Sequence, residues 1–263
     1  MTSSPPNPSE SPSELAGDSV SGIQKALKLL ESFHAGMANL TVSQASRLSG
    51  TSRTSARRML VALTAAGYLV SDGKRYALTA RALRIGDAYL DSSKLPKIAR
   101  PIIERLGYIA QESATMGVLD GTDVIYIVRS SVTGITSPTM RPGSRVPLYC
   151  SAGGRMLLAS MPAAMAAQLL EASVMRPLTP YTLLHAADIL PRLPAIAERG
   201  YSVIDREFEV NMRTLSVPVV NAGDEVVGVV SMSVHAEKYS LDALISENLP
   251  RLFEAQALLR DLV

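Results

Sequence analysis

Ser52, Arg53, Thr54, Arg57 and Arg58 crowd the start of "GTSRTSARRMLVALTAAGYLV", residues 50–70. A guanidinium is permanently charged and carries a planar fork of donors, which fits a phosphate or the outer edge of guanine. Ser and Thr hydroxyls pair with phosphates or with bases. At about 100° per residue, Arg53, Thr54, Arg57, Arg58 and Thr64 fall on one side of a helix, and Ala56, Met59, Leu60 and Leu63 on the other. The apolar side would seat such a helix and leave its cations pointing outward, where a DNA major groove has the width to take them. The competing reading is an ordinary basic face in water. Lys74 and Arg75 of "DGKRY" add two cations suited to backbone phosphates.

A second constellation is "CSAGGR", residues 150–155, leading into "RMLLAS". Free amides at a helix N-terminus attract a carboxylate, and Ala152, Gly153 and Gly154, with Ser151 before them, would let an anion come close. The same small residues also suit a tight loop or close helix–sheet packing, so both readings stand. Arg145 and Tyr149 flank the turn and could meet an acid group or a ring, or lie at the surface. Arg213 is a rival anchor, or else a salt-bridge partner. Glu207 and Glu209 of "DREFE" could receive a ligand hydroxyl; acids so placed also pair with arginines. Ser233 either faces a pocket or packs. Cys150 reads as a small buried filler.

These groups need elements to hold them. Residues 1–19, rich in Pro and Ser, are expected as a disordered tail. A helix follows, with Ile23, Ala26, Leu27 and Leu30 on one face and Gly36 near its end. A short second helix begins with Ser43 as N-cap, continues through Gln44, Ala45 and Leu48, and stops at Gly50. The arginine helix comes next, then strands at 68–70 and 75–78 around Asp72-Gly73. Helix, tight turn, basic helix and hairpin make a winged helix-turn-helix over 20–79, in which Ser43 and Gln44 join the arginine cluster as DNA-contact candidates. Residues 80–94 are expected as a linker helix.

Beyond it, 95–263 reads as an α+β domain with a mostly antiparallel sheet. Its expected parts are a helix at 96–111 and two strands around Asp120-Gly121. A Gly/Pro-rich loop at 136–147 leads to helices near 152–160, 162–172 and 186–199. Three strands and a long final helix complete the domain.

Charge divides the chain the same way. Residues 20–94 carry a net +7, against −3 for 1–19 and −2 for 95–263. Excess positive charge confined to one segment suggests a polyanionic partner for that segment. No apolar run reaches the roughly 18 residues a membrane helix needs, and the N-terminus lacks a basic-then-apolar leader pattern. A single cysteine forms no intrachain disulfide, and His34, His185 and His235 lie far apart. Neither a metal nor a cofactor is expected, and a cytoplasmic location is. No nucleophile elbow or phosphate-binding Gly loop is visible. The acids of "DREFE" leave one enzymatic alternative, a general acid/base pair in an enzyme fused to a DNA-binding domain. An architectural DNA binder without a ligand is the other competing class.

Residues 20–94, above all "LTVSQASRLSGTSRTSARRMLVALTAAGYLVSDGKRYALTARALRIGDAYL", resemble the winged helix-turn-helix of IclR-type bacterial transcriptional regulators. "RPGSRVPLYCSAGGRMLLASMP", "RPLTPYTL", "RGYSVIDREFEVNMRTLSVPV" and "GVVSMSVHAEKYS" resemble that family's effector-binding domain, in particular the branch controlling protocatechuate and 4-hydroxybenzoate catabolism. Ser151 and Gly153 depart from the branch, where Thr and Met are more usual. The resemblance implies a GAF-like sensor that binds a small organic acid, aromatic or a ring-cleavage product, with a non-aromatic acid as the alternative. It places Met140, Ile204, Met212 and Thr214 in the pocket. It also implies a homodimer or dimer of dimers on pseudo-palindromic double-stranded operator DNA, with RNA polymerase a candidate partner.

Overall fold

The computed structural model describes residues 12–34, 36–130, 140–260 and 262. The chain divides into two units, Met1–Ala88 and Tyr89–Val263, and the division falls inside the stretch expected as a linker.

In the first unit, α1 spans Pro12–Glu31. Residues 12–19 of the expected tail are therefore helical, and its residues 1–11 lie outside the described ones. Proline is tolerated in a first helical turn, and nothing in 12–19 breaks the helix after it. Leu29 and Leu30 of α1, with Phe33 just beyond it, meet the core, while Ile23 and Leu27 are exposed. That keeps Leu30 of the expected face and corrects Ile23 and Leu27. The core lies at the C-terminal end of the helix, against α2 (Val42–Ser49) and α3 (Arg53–Ala65).

The N-cap of α2 is Thr41, not Ser43. Thr41 Oγ1 accepts from the Gln44 amide, and Gln44 Oε1 accepts from the Thr41 amide at 2.8 Å. This reciprocal capping box needs Thr and Gln three apart, a signal present in "TVSQ". Gly50, with φ 64°, ends α2 in the left-handed conformation that glycine adopts most cheaply. Ser52 caps α3, accepting from the Ser55 amide. Strands β1 (Leu69–Ser71) and β2 (Tyr76–Leu78) then pair antiparallel.

The expected linker helix is instead a 3-10 turn at Ala80–Ala82 followed by α4 (Leu83–Ser92). Extended backbone at Ser93 separates α4 from α5 (Lys94–Ala110).

The second unit is built on a six-stranded sheet ordered β5-β4-β3-β8-β7-β6, all neighbours antiparallel. Its strands are β3 (Ser113–Asp120), β4 (Asp123–Arg129), β5 (Arg145–Pro147), β6 (Ser202–Asp205), β7 (Met212–Val220) and β8 (Val226–His235). Strand β5 corrects part of the expected loop at 136–147, whose residues 136–139 lie outside the described ones. Helices α6 (Ala152–Ala159) and α7 (Ala163–Ala172) follow β5. The helix expected at 186–199 is broken into α8 (Ala186–Ile189), a 3-10 turn and α9 (Leu193–Arg199). Pro191 and Pro194 remove the backbone donors that continuity needs. The chain closes with α10 (Leu241–Arg260).

Side chains alternate across a strand, and here the two faces differ in chemistry. Ala114 and Met116 of β3, Leu215, Val217 and Val219 of β7, and Val230, Met232 and Val234 of β8 pack with α5 and α10. The intervening positions, Ser113, Thr115, Thr214, Ser216, Ser231 and Ser233, carry hydroxyls. Strand register places Ser113 opposite Ser233, Thr115 opposite Ser231 and Ser233 opposite Thr214. Helices α6, α7 and α9 build a second apolar cluster with Val124, Val146, Tyr149 and Val229.

Candidate DNA-binding face and effector pocket

On the first unit, Ala56 and Leu60 are fully buried, while Arg53, Thr54, Arg57 and Arg58 are exposed. The arginines therefore stand on the outer side of a helix anchored from within. Arg53 Nη2 donates to Ser43 Oγ at 2.6 Å, joining α3 to α2. The Gln44 oxygen is taken by the α2 cap, which leaves its amide nitrogen for an outside partner. At the hairpin tip Asp72 Oδ1 accepts from the Lys74 and Arg75 amides at 2.8 and 2.7 Å. Those hydrogen bonds hold its carboxyl below the usual carboxylate range. With Gly73 at φ 92°, they fix the turn and leave the Lys74 and Arg75 side chains exposed. The tip has the form of a wing with cations at its end.

The second unit holds a void of about 660 Å³, part of it open to solvent, between the hydroxyl-bearing face of the sheet and the start of α6. Met140, Ser151, Ala152 and Gly153 line it, as do Ile204, Met212, Thr214 and Ser233. All eight were singled out in the sequence. Ser151 caps α6, its Oγ accepting from the Gly154 amide and donating to the Pro147 carbonyl. Among the described residues the Ala152 and Gly153 amides have no acceptor. Thr214 and Ser233 share a hydrogen bond at 3.0 Å.

Gly154, expected to admit the anion with Ala152 and Gly153, serves packing instead, its amide spent on Ser151. A Cβ there would fall 2.4 Å from the Leu148 backbone, so α6 lies against that chain with no side chain between. Cys150 lines the pocket with its thiol pushed up to about 12, mainly by burial.

Four candidate ligand contacts lie elsewhere. Arg145 bridges Asp120 and Asp123 at 2.6 and 3.0 Å on the exposed edge of the sheet. The buried ring of Tyr149 points away from the void, its hydroxyl donating to the Arg176 carbonyl and accepting from the Arg176 amide. Glu207 is held by Arg155 in a buried fork, Nη1–Oε1 3.0 Å and Nη2–Oε2 2.6 Å, and its Oε2 also accepts from the Leu183 amide. Arg213 donates to Asp205 at 2.8 Å and to the carbonyls of Ala236 and Tyr239. Each group thus satisfies a partner within the fold, and the salt-bridge reading replaces the ligand reading for Arg145, Glu207 and Arg213. With Glu207 committed, "DREFE" also lacks the free pair that acid/base chemistry would use.

Further residues line the void beyond those expected from the sequence: Ser113 and Thr115 on β3, Val124 and Tyr126 on β4, Val146 on β5, and Phe208. A signal existed for the hydroxyl positions, the alternation in "SAT", "TLS" and "SMS", which marks one sheet face as polar. Tyr126 and Val124 reach the void only because β4 neighbours β3, which the local pattern does not reveal.

A winged helix-turn-helix joined to a sheet unit with a small-molecule pocket defines a ligand-responsive DNA-binding protein. Residues 22–73 match the IclR helix-turn-helix domain, and residues 87–256 match the bacterial transcriptional regulator IclR C-terminal domain. The chain belongs to the IclR family of bacterial transcription regulators. It is 30% identical over 239 residues to the Pca regulon regulatory protein of Pseudomonas putida, covering 90% of this chain and 82% of that protein. It is 32% identical over 253 residues to the p-hydroxybenzoate hydroxylase transcriptional activator of Acinetobacter baylyi, covering 94% and 93%. Among solved structures, it resembles the inducer-binding domain of a PobR double mutant from Acinetobacter in complex with 3-hydroxybenzoic acid. That likeness has a TM-score of 0.61 and 26% identity, over 65% of this chain and 100% of that one. Among the described residues no helix is long and apolar enough to cross a membrane.

Proposed function

We propose that the chain regulates an aromatic-acid catabolic operon, binding an aromatic carboxylate in the second unit and operator DNA through the first. The observation that carries this reading is the pair of unpartnered amides, Ala152 and Gly153, at the start of α6 in a void otherwise lined mostly by apolar groups and hydroxyls. Oriented amides and the helix dipole favour a carboxylate. Phe208, Met140 and Met212 suit a ring, sulfur being a favourable neighbour of aromatic edges. The names of the relatives, and the hydroxybenzoic acid held by the PobR domain, support the same class of effector.

DNA recognition is assigned to Ser52, Arg53, Thr54, Arg57 and Arg58 in the major groove and to Lys74 and Arg75 on phosphates, with Ser43 and the free Gln44 nitrogen beside them. One winged unit reads a short half-site, so the operator is a pseudo-palindrome bound by a dimer or a dimer of dimers. An effector need only favour one arrangement of the paired DNA-binding units to change operator affinity.

The test is an electrophoretic shift on the protein's own promoter region, titrated with benzoate, 3-hydroxybenzoate and 4-hydroxybenzoate. A specific complex whose affinity changes with one of these acids is the expected result. A specific complex indifferent to all three, with no thermal shift from any of them, would sink the aromatic effector. Absence of a specific complex would sink the operator assignment.

A further inference from the structure

Among the described residues lining the pocket, Glu209 is the one charged side chain. No hydrogen bond or ion pair within the described residues reaches its carboxylate, whereas Glu207, two positions earlier, is spent on Arg155. Burial pushes the Glu209 carboxyl above its ordinary value with no opposing charge. Its charge is also felt by Tyr126 across the void, whose hydroxyl is pushed up to about 12, first by burial and then by Glu209. Glu209 is half-buried; Ser113 is buried, and its hydroxyl has no partner among the described residues. The pocket therefore has one feature that attracts an anion, the α6 amides, and one resident acid with unused acceptor capacity.

We propose that Glu209 selects the effector, accepting a hydrogen bond from a ring hydroxyl of an aromatic monocarboxylate and turning dicarboxylates away. The inference rests on the reading of this void as the effector site. A ligand with one carboxylate and one hydroxyl satisfies both the amides and Glu209. A ligand lacking the hydroxyl leaves Glu209 desolvated and unpaired, the situation in which a site built for a hydroxyl discriminates strongly. A second carboxylate must share a water-poor space with Glu209, and like charges there oppose each other.

Calorimetric titration of the full chain and of Glu209→Gln with 3- and 4-hydroxybenzoate, benzoate and terephthalate tests this. The wild type is expected to bind the better hydroxybenzoate at least about tenfold more tightly than benzoate, the scale of one hydrogen bond to a charged group. Terephthalate should be the weakest of the four. In Glu209→Gln the hydroxyl preference should shrink to about threefold and terephthalate should tighten by about tenfold, since the charge is gone while a weaker acceptor remains. Ligand-free operator binding by the variant reports that it is folded. If it does not fold, the wild-type ratios decide alone. Wild-type ratios near one, or ratios unchanged in the variant, overturn the role of Glu209 while the pocket keeps its effector. A wild type that binds none of the four overturns the effector reading and this inference with it.

Discussion

Gly154 has no room for even a methyl group, because its missing Cβ would sit 2.4 Å from both Cα and O of Leu148. Backbone cannot yield as a side chain can. Gly154→Ala should therefore push α6 off its seat and cost about 1–3 kcal/mol, as overpacking does. At Gly153 the added Cβ would meet the Val229 side chain at 3.0 Å, a softer neighbour. Thermal melts should show a larger loss for Gly154→Ala, and titration a larger loss of effector affinity for Gly153→Ala; the reverse order would refute this division. Small residues in "CSAGGR" suited an anion site and close packing equally well. The packing role falls on Gly154, a distinction that depends on Leu148 folding back over the helix, and the anion role is proposed for its neighbour Gly153. Glu207 shows the same limit. Its type was legible, but Arg155 lies 52 positions away in sequence, and no local pattern announces such a pair.

At the scale of elements, most of the architecture was readable because it rests on period and punctuation. The helix-turn-helix came through on Gly50, Ser52 and an apolar stripe, and the β3–β4 hairpin on Asp120-Gly121. The misses have physical causes: β5 is three residues long, too short to show alternation, and α8–α9 is split by prolines. The β6–β7 pair offers a test. Asp205 lies opposite Arg213 in the register and accepts from it at 2.8 Å. Burial raises the Asp205 pKa, but hydrogen bonds and charge from Arg213 and Arg206 outweigh it and leave it below 3.8. A lowered carboxylate stabilises the fold above its unfolded pKa, and that contribution fades as pH falls through the folded value. The stability gap between wild type and Asp205→Asn, from urea melts, should thus be full at neutral pH and shrink below 3.8. A gap that widens on acidification would contradict the pairing.

Across the whole molecule, charge and function are partitioned together. The segment 20–94 carries the excess of +7, and the remainder is close to neutral or acidic. Operator binding should weaken steeply with salt, since each phosphate contact releases condensed counterions, while effector binding, governed by desolvated contacts, should change little. Arg57→Ala should lower operator affinity strongly and leave effector affinity, measured without DNA, within about twofold, since the two sites share no residue. Equal losses in both assays would indicate unfolding. The pleat of the sheet makes a comparable separation within the second unit. Ala114, Met116, Met232 and Val234 hold the α5–α10 core, and Ser113, Thr115 and Ser233 beside them face the void. Substitution at alternate positions of one strand can thus retune what the sensor answers to while its scaffold stays untouched. Such a layout gives a lineage freedom to trade one signal for another without first inventing a new fold.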